Sequence, residues 1–136
     1  MDTWDWKVTG INHLVLHVVD LTRSVKFYTE VLGLDNDLSR GTQNAAFLRC
    51  GTFGLGLLEV AGDVDRGKEM NHMALNVAAD VVTEVVGKLE RAGVHIDKQR
   101  PGNSVFIHDP DGYKIEILPR CAHQRAGERE ADKAAI

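Results

Sequence analysis

The chain has 136 residues, of which 43% are hydrophobic, and a formal net charge of −4. This length suits one domain with one core, so we expect a single domain over residues 1–136. The acidic balance leaves no basic stripe, which argues against nucleic acid or an acidic membrane surface as a partner. No run approaches roughly 18 apolar residues, and the N-terminus lacks a basic-then-apolar signal pattern, so we expect a cytoplasmic protein with no membrane partner. Cys50 and Cys121 lie far apart, which predicts neither a zinc–thiolate site nor a disulfide framework.

The first predicted strand covers residues 11–18, where apolar residues alternate with others. Because side chains on a strand point alternately to its two faces, the even-numbered positions from Leu14 to Val18 form one apolar face. His13 and His17 share the opposite face. The alternation therefore predicts a half-buried strand with two histidines on its less apolar side.

The Asn-His dipeptide of this strand occurs twice in the chain. Residues 70–77 align with residues 11–18 without a gap, because 72 − 13 and 77 − 18 both give 59. His72 thus takes the place of His13 and lies opposite the apolar residues of its own strand. Two histidines at equivalent positions of a repeated module can converge on one point.

A helix is predicted after each of these strands. Asp20 can cap the first helix and Gly33 can end it, while the second helix begins near Asp80 and ends at Gly93. Short runs rich in branched and aromatic residues predict further strands at residues 45–49, 55–60, 104–108 and 113–118, with a tight turn at Asp109-Pro110-Asp111-Gly112. Each copy is thus a strand, a helix and two or three antiparallel strands. Module 1 covers about residues 9–61, module 2 about 69–119, and a polar tail, expected to be a peripheral helix or frayed, covers 120–136.

A third candidate ligand lies in the last predicted strand. Ile115 and Ile117 supply the apolar face of that strand, so Glu116 points the other way. Together, His13, His72 and Glu116 provide two imidazoles and one carboxylate, a facial set that leaves positions open for water or substrate. The sequence therefore predicts one divalent metal ion, which would be Zn, Fe(II), Mn, Ni or Co.

Four segments within about residues 9–119 carry a resemblance to a known family: Ile11-Asn12-His13-Leu14, Phe27-Tyr28-Thr29-Glu30-Val31-Leu32-Gly33-Leu34, His72, and Asp109-Pro110-Asp111-Gly112-Tyr113-Lys114-Ile115-Glu116. The chain resembles the vicinal oxygen chelate superfamily, which includes glyoxalase I, extradiol dioxygenases, and the fosfomycin and bleomycin resistance proteins. The resemblance implies an α+β fold in which two βαβββ modules form a cup-shaped antiparallel sheet around one metal ion. It also implies a homodimer, since another chain often completes the cup, and a small-molecule substrate.

Within this superfamily, residues 106–116 are most similar to glyoxalase I, which implies a fourth ligand in the last strand of the first module. Glu59 is the candidate, as a metal ligand and as a catalytic group. Subtracting 59 from 116 gives Leu57, on the same face as Glu59, whereas subtracting 60, to allow for a longer second helix, gives Gly56, on the opposite face. The sequence leaves both registers open.

Departures from the family patterns bear on the substrate. His17 stands where small glyoxalase I enzymes have an arginine for a glutathione carboxylate, and the negative Asp63 falls near an asparagine used for the same ligand. Phe53-Gly54 and Phe106 replace a histidine and a tyrosine expected of extradiol dioxygenases. We therefore expect His17 to contact a substrate other than lactoylglutathione.

The predicted function is that of a metal-dependent lyase or isomerase of the glyoxalase type, which acts on a small carbonyl compound through an enediolate. The metal would act as a Lewis acid, and Glu116 or Glu59 would move the proton as the catalytic base. Two alternatives stay open because one cup serves several chemistries. They are an Fe(II) extradiol dioxygenase acting on a catechol and a metal-free drug-binding resistance protein.

Overall fold

A computed structural model describes residues 8, 10–64, 70–78, 84–100 and 104–119. The chain divides into two compact units, Met1–Val64 and Asp65–Ile136, and each contains one of the predicted modules. The expectation of one domain over 1–136 stays a prediction. The tail from residue 120 and the helix start near Asp80 lie outside the described residues.

The first unit contains a four-stranded sheet in the order β1-β4-β3-β2. Its strands are β1 His13–Val18, β2 Asp35–Asn36, β3 Ala45–Cys50 and β4 Phe53–Glu59. Helix α1, Leu21–Lys26, follows β1 and continues as a π-helical segment, Phe27–Val31. β1 runs parallel to β4, whereas β3 is antiparallel to both β2 and β4.

The second unit repeats this arrangement with the strand order β5-β8-β7-β6. Its strands are β5 Met73–Val77, β6 Ile96–Arg100, β7 Ser104–His108 and β8 Lys114–Pro119, and helix α2 is Val86–Arg91. β5 runs parallel to β8, and β7 is antiparallel to β6 and β8. None of the helices in the described part of the chain is long and apolar enough to cross a membrane.

The α+β fold with two βαβββ modules is confirmed. The expected antiparallel sheet is corrected in one respect, because each sheet is mixed. The helix after the first strand of each module provides the crossover that a parallel pair requires. The last strand of the module can therefore return beside the first strand and run in the same direction.

The alternating pattern of β1 positions its histidines as predicted. Leu16 and Val18 are 4% and 0% exposed, while His13, Val15 and His17 on the other face are exposed. The Asp20 carboxylate caps α1 by accepting a hydrogen bond from the backbone N–H of Arg23 at 3.0 Å. The core of the first unit therefore lies on the face of β1 opposite His13 and His17, and the buried Met73 and Leu75 place the core of the second unit on the corresponding face of β5.

Strand β6 is missing from the sequence-based prediction. Its residues, Ile96–Arg100, include one apolar side chain, and the other four residues are exposed. A β-bulge between Ile96 and Lys98 inserts Asp97 as an extra residue opposite β7. Such a bulge re-aims the side chain of the inserted residue, which matters for a cavity of the second unit.

Candidate metal centre

Two of the predicted ligands meet in the second unit. Glu116 of β8 pairs with Ala74 of β5. Ala74 lies two residues after His72. His72 Nε2 is 3.0 Å from Glu116 Oε2, and their side chains are 34% and 15% exposed. The pairing of β5 with β8 thus places an imidazole nitrogen and a carboxylate oxygen where both could bind one ion.

The strand pairing decides the register that the sequence leaves open. Leu14 pairs with Leu55 in the first unit, and its counterpart Met73 pairs with Ile115 in the second. Glu116, one residue after Ile115, is therefore equivalent to Gly56. A Cβ atom on Gly56 would lie 3.0 Å from Val15 Cγ2, so this position is closely packed.

The residue that sets this register lies in a hairpin, because the one extra residue between the helix-ending glycines, Gly33 and Gly93, is compensated before β7. Phe47 of β3 pairs with Gly56, and Phe106 of β7 pairs with Glu116. Phe47 and Phe106 are 59 positions apart, whereas Gly56 and Glu116 are 60 apart. The longer connection between β7 and β8 thus carries the additional residue.

Glu59 lies three residues beyond Gly56 and points to the opposite face of β4. Its Oε2 accepts a hydrogen bond at 2.8 Å from the backbone N–H of Leu21, the first residue of α1. A carboxylate is stabilised at a helix N-terminus by the unpaired N–H groups and the helix dipole. Glu59 therefore faces α1, and the face that bears His13 has a glycine at the position equivalent to Glu116.

Each candidate ligand histidine contacts a phenylalanine at an equivalent position. The ring centroids of His13 and Phe47 are 5.8 Å apart and those of His72 and Phe106 are 5.6 Å apart, both edge-to-face. An arginine covers each phenylalanine: Arg40 Cζ lies 3.8 Å from the Phe47 centroid, and Arg100 Cζ lies 5.4 Å from that of Phe106. The sequence-based prediction missed this repeat, although the 59-residue spacing of Phe47 and Phe106 was a signal for it.

A cavity of about 270 Å³ opens beside Phe106 in the second unit. Its lining is Asp97, Lys98, Arg100, Phe106, His108 and Lys114. Lys114 Nζ lies 5.0 Å from the Phe106 centroid, and Lys114 shares a face of β8 with Glu116, two residues away. The cavity thus adjoins the His72–Glu116 pair through Phe106 and carries three cationic side chains.

The bulge at Asp97 brings a carboxylate to the same cavity. Asp97 Oδ2 contacts His108 Nδ1, and Asp97 Oδ1 lies 3.7 Å from His95 Nε2. The one carboxylate of the cavity lining therefore contacts a histidine. Sequence patterns did not predict this cavity, because β6 lacks a strand-like apolar alternation.

The first unit positions His13 and His17 on one exposed face of β1. No cluster of three or more His, Cys, Asp or Glu side chains that could hold a metal occurs within the described ranges. Of the four predicted ligands, the second unit brings His72 and Glu116 together. Glu59 lies on a different face of its own sheet from His13.

Residues 10–117 match the model of the Glyoxalase/Bleomycin resistance protein/Dioxygenase superfamily. The chain belongs to this superfamily. The glutathione transferase FosA of Serratia marcescens is 38% identical over 118 residues, covering 79% of each protein. A lactoylglutathione lyase of Escherichia coli O157:H7 is 34% identical over 124 residues, covering 78% of this chain and 89% of that protein.

Solved structures of the superfamily have the same fold. A structure of the fosfomycin resistance protein FosX from Listeria monocytogenes, in complex with Mn(II) and 1S,2S-dihydroxypropylphosphonic acid, matches with a TM-score of 0.71 at 21% identity. The match covers 88% of this chain and 99% of the FosX chain. The relatives of this superfamily member are enzymes with different reactions, so the family alone does not select one.

Proposed function

We propose that the chain is a metal-dependent enzyme that acts on a small acidic molecule with two neighbouring oxygens. His13, His72 and Glu116 would hold one divalent ion, and Glu59 would not. Support comes from the 3.0 Å contact between His72 and Glu116 and from a donor set that suits Mn, Fe, Co, Ni or Zn. When bound, the ion would supply Lewis-acid polarisation of the substrate oxygens.

The acidic group of the substrate would bind in the cavity beside Phe106. Lys98, Arg100 and Lys114 give that cavity three positive charges, while its one carboxylate contacts His108. A cavity with an excess of positive charge attracts a negatively charged ligand. The phosphonic acid bound by FosX carries two hydroxyl oxygens on adjacent carbons beside its acidic group, and such a diol is what addition of water to an epoxide of the same phosphonate gives. It supports a small phosphonate as the class of molecule proposed here.

The proposed reaction is addition of water or a thiol to the epoxide of a small phosphonate. The observation that carries it is Gly56: the first unit has no carboxylate at the position equivalent to Glu116. An enediolate reaction needs a base that removes a C–H proton, and with Gly56 in the first unit that base would have to be Glu116, itself a proposed metal ligand, whereas ring opening requires no C–H proton to be removed. The nucleophile forms its bond to carbon, the C–O bond of the epoxide breaks, and the proton lost by the nucleophile ends on the released oxygen.

A lyase or isomerase that acts through an enediolate is the second candidate. The contact between His72 and Glu116 favours it, because a carboxylate at this position can accept a proton from a substrate carbon. The similarity to a lactoylglutathione lyase adds to this support. His17 would contact the substrate in either reaction.

The test compares both reactions in one set of samples. Metal-free protein is loaded with Mn, Ni, Zn or Fe(II) and offered fosfomycin with water or glutathione, followed by phosphorus NMR. Hemithioacetals and α-hydroxy ketones are offered in parallel, followed by deuterium exchange beside the carbonyl. We expect conversion of the phosphonate that Glu116→Gln abolishes, that Glu59→Gln leaves unchanged, and that Lys98→Gln weakens through KM.

Other outcomes would replace the proposal. Deuterium exchange without phosphonate conversion would establish the second candidate instead. Oxygen uptake with catechol and Fe(II) would establish a dioxygenase. Tight binding of a drug to the metal-free protein, with no turnover under any condition, would establish a sequestering protein.

A further inference from the structure

Both candidate ligand histidines make the same hydrogen bond to the residue before them. The side-chain oxygen Asn12 Oδ1 lies 2.7 Å from His13 Nδ1, and Asn71 Oδ1 lies 2.7 Å from His72 Nδ1. An amide carbonyl oxygen can only accept a hydrogen bond, so each Nδ1 must donate one. This geometry therefore requires the tautomer with the proton on Nδ1 in both rings.

This bond determines which nitrogen is available to a ligand. In a neutral imidazole with the proton on Nδ1, the lone pair is on Nε2. In the second unit, Nε2 of His72 is the atom that faces Glu116, at 3.0 Å. In the neutral ring the asparagine thus leaves on Nε2, the nitrogen that faces Glu116, the lone pair that a metal ion would need.

The arrangement is specific to these two positions. The chain contains six histidines, and the other four do not follow an asparagine: His17, His95, His108 and His123. His108 directs its Nδ1 to Asp97, which lies on a neighbouring strand. The Asn-His pair therefore occurs only where the repeat supplies a candidate ligand.

Stability offers a weak explanation for the repeated bond. Both hydrogen bonds are exposed, and water competes for the donors and acceptors of an exposed bond. The backbone oxygen of Asn12 already accepts a hydrogen bond from Gly54 N at 2.9 Å, which holds this residue beside β4 without its side chain. The asparagine side chain is therefore free to serve the histidine.

We propose that Asn12 and Asn71 are positioning residues that keep the proton on Nδ1 of His13 and His72 and so present Nε2 to the metal. The inference rests on the proposed metal site. Groups that hydrogen-bond to a ligand histidine fix its tautomer and orientation, and their loss commonly weakens metal binding by about 10–100-fold. Because each Asn-His pair lies within one unit, each can be tested separately.

The experiment uses the full chain and two readouts. Long-range proton–nitrogen NMR of metal-free, histidine-labelled protein in mildly alkaline solution identifies the protonated nitrogen of His13. Calorimetry then gives the zinc dissociation constant. The variants are Asn12→Ala and Asn71→Ala, Asn12→Asp restores an acceptor, and Asn36→Ala is the matched control in the exposed strand β2.

We expect the proton on Nδ1 of His13 in the wild type and loss of that preference in Asn12→Ala. The zinc dissociation constant should rise by about tenfold or more in each alanine variant, recover in Asn12→Asp, and stay unchanged in Asn36→Ala. If the wild type binds zinc and both alanine variants bind it with the same affinity, the positioning role is wrong, while the proposed function is not affected. A wild type that binds no divalent ion would overturn the proposed function, and the positioning role with it, whatever the tautomer.

Discussion

Glu59 and Glu116, the two glutamates that the sequence predicts as metal ligands, have different contact partners. Glu116 Oε2 lies 3.0 Å from a histidine nitrogen, whereas Glu59 Oε2 accepts from the backbone N–H of Leu21 at 2.8 Å. A glutamate engaged at a helix N-terminus contributes to stability through that contact. The two residues therefore have different expected roles, which substitution can separate.

Glu59→Gln should leave the metal content of the protein unchanged and lower its stability slightly. Removing the negative charge weakens the interaction with the N-terminus of α1, with an expected cost of about 0.3–1 kcal/mol. Atomic spectroscopy and urea unfolding measure the two effects. Asp20→Ala, which removes the neighbouring helix cap, is the control and should also reduce stability alone. Loss of one metal equivalent in Glu59→Gln would restore Glu59 as a ligand.

His17→Ala should reduce turnover or ligand binding without loss of metal. His17 lies four residues beyond His13 on the same exposed face of β1, so it would face a substrate held at an ion bound by His13. Metal analysis and steady-state kinetics on the same preparation separate the roles. If metal and activity fall together, His17 is a ligand or a support for one.

At the scale of elements, a close approach in the first sheet shapes the His13 face. A Cβ atom on Gly54 would lie 2.4 Å from Phe47 Cζ and 3.0 Å from His13 Cβ. Strands β1, β4 and β3 therefore pack His13 and Phe47 over a residue that has no side chain. The glycine allows the edge-to-face contact of those two rings.

Gly54→Ala should destabilise the protein and displace the Phe47 ring from His13. Forcing an extra methyl group into a packed site typically costs about 1–3 kcal/mol. Gly10→Ala is the matched control, because a Cβ at Gly10 would meet nothing within 4 Å. Urea unfolding should show a lower midpoint for Gly54→Ala only. Equal midpoints would contradict the tight packing of β1, β3 and β4.

The repeat made much of the fold predictable, because strand alternation and helix ends are local signals. The positions of His13, His72 and Glu116 on the strand faces opposite their cores followed from that alternation. The face of Glu59 relative to the candidate ligands could not be predicted in the same way. One additional residue in the β7–β8 hairpin determines which residue of β4 is equivalent to Glu116. The basic cavity was also unpredictable, because the edge strand β6 is polar and a bulge redirects Asp97.

At the scale of the whole molecule, we propose a homodimer. In the described part of the chain, the two sheets end in the edge strands β1 and β2 and in β5 and β6. Exposed strand edges present unpaired backbone groups that another chain can cover. The superfamily resemblance likewise implies a cup completed by a second chain.

Light scattering should give about twice the chain mass of 15.0 kDa at micromolar concentration. Because an obligate dimer unfolds with dissociation, its thermal midpoint should also rise with protein concentration. A chain that stays monomeric with a concentration-independent midpoint would require the metal centre to be assembled within one chain.

The most direct test of the metal centre is the metal content of purified protein, determined in parallel for the wild type, His72→Ala and Glu59→Gln. We expect one divalent ion per chain in the wild type and in Glu59→Gln, and loss of most of the metal in His72→Ala. Removing one of the three proposed ligands would leave too few to hold the ion, whereas Glu59 contacts helix α1. Unchanged metal content in His72→Ala, or loss of metal in Glu59→Gln, would show that the proposed ligand set is wrong.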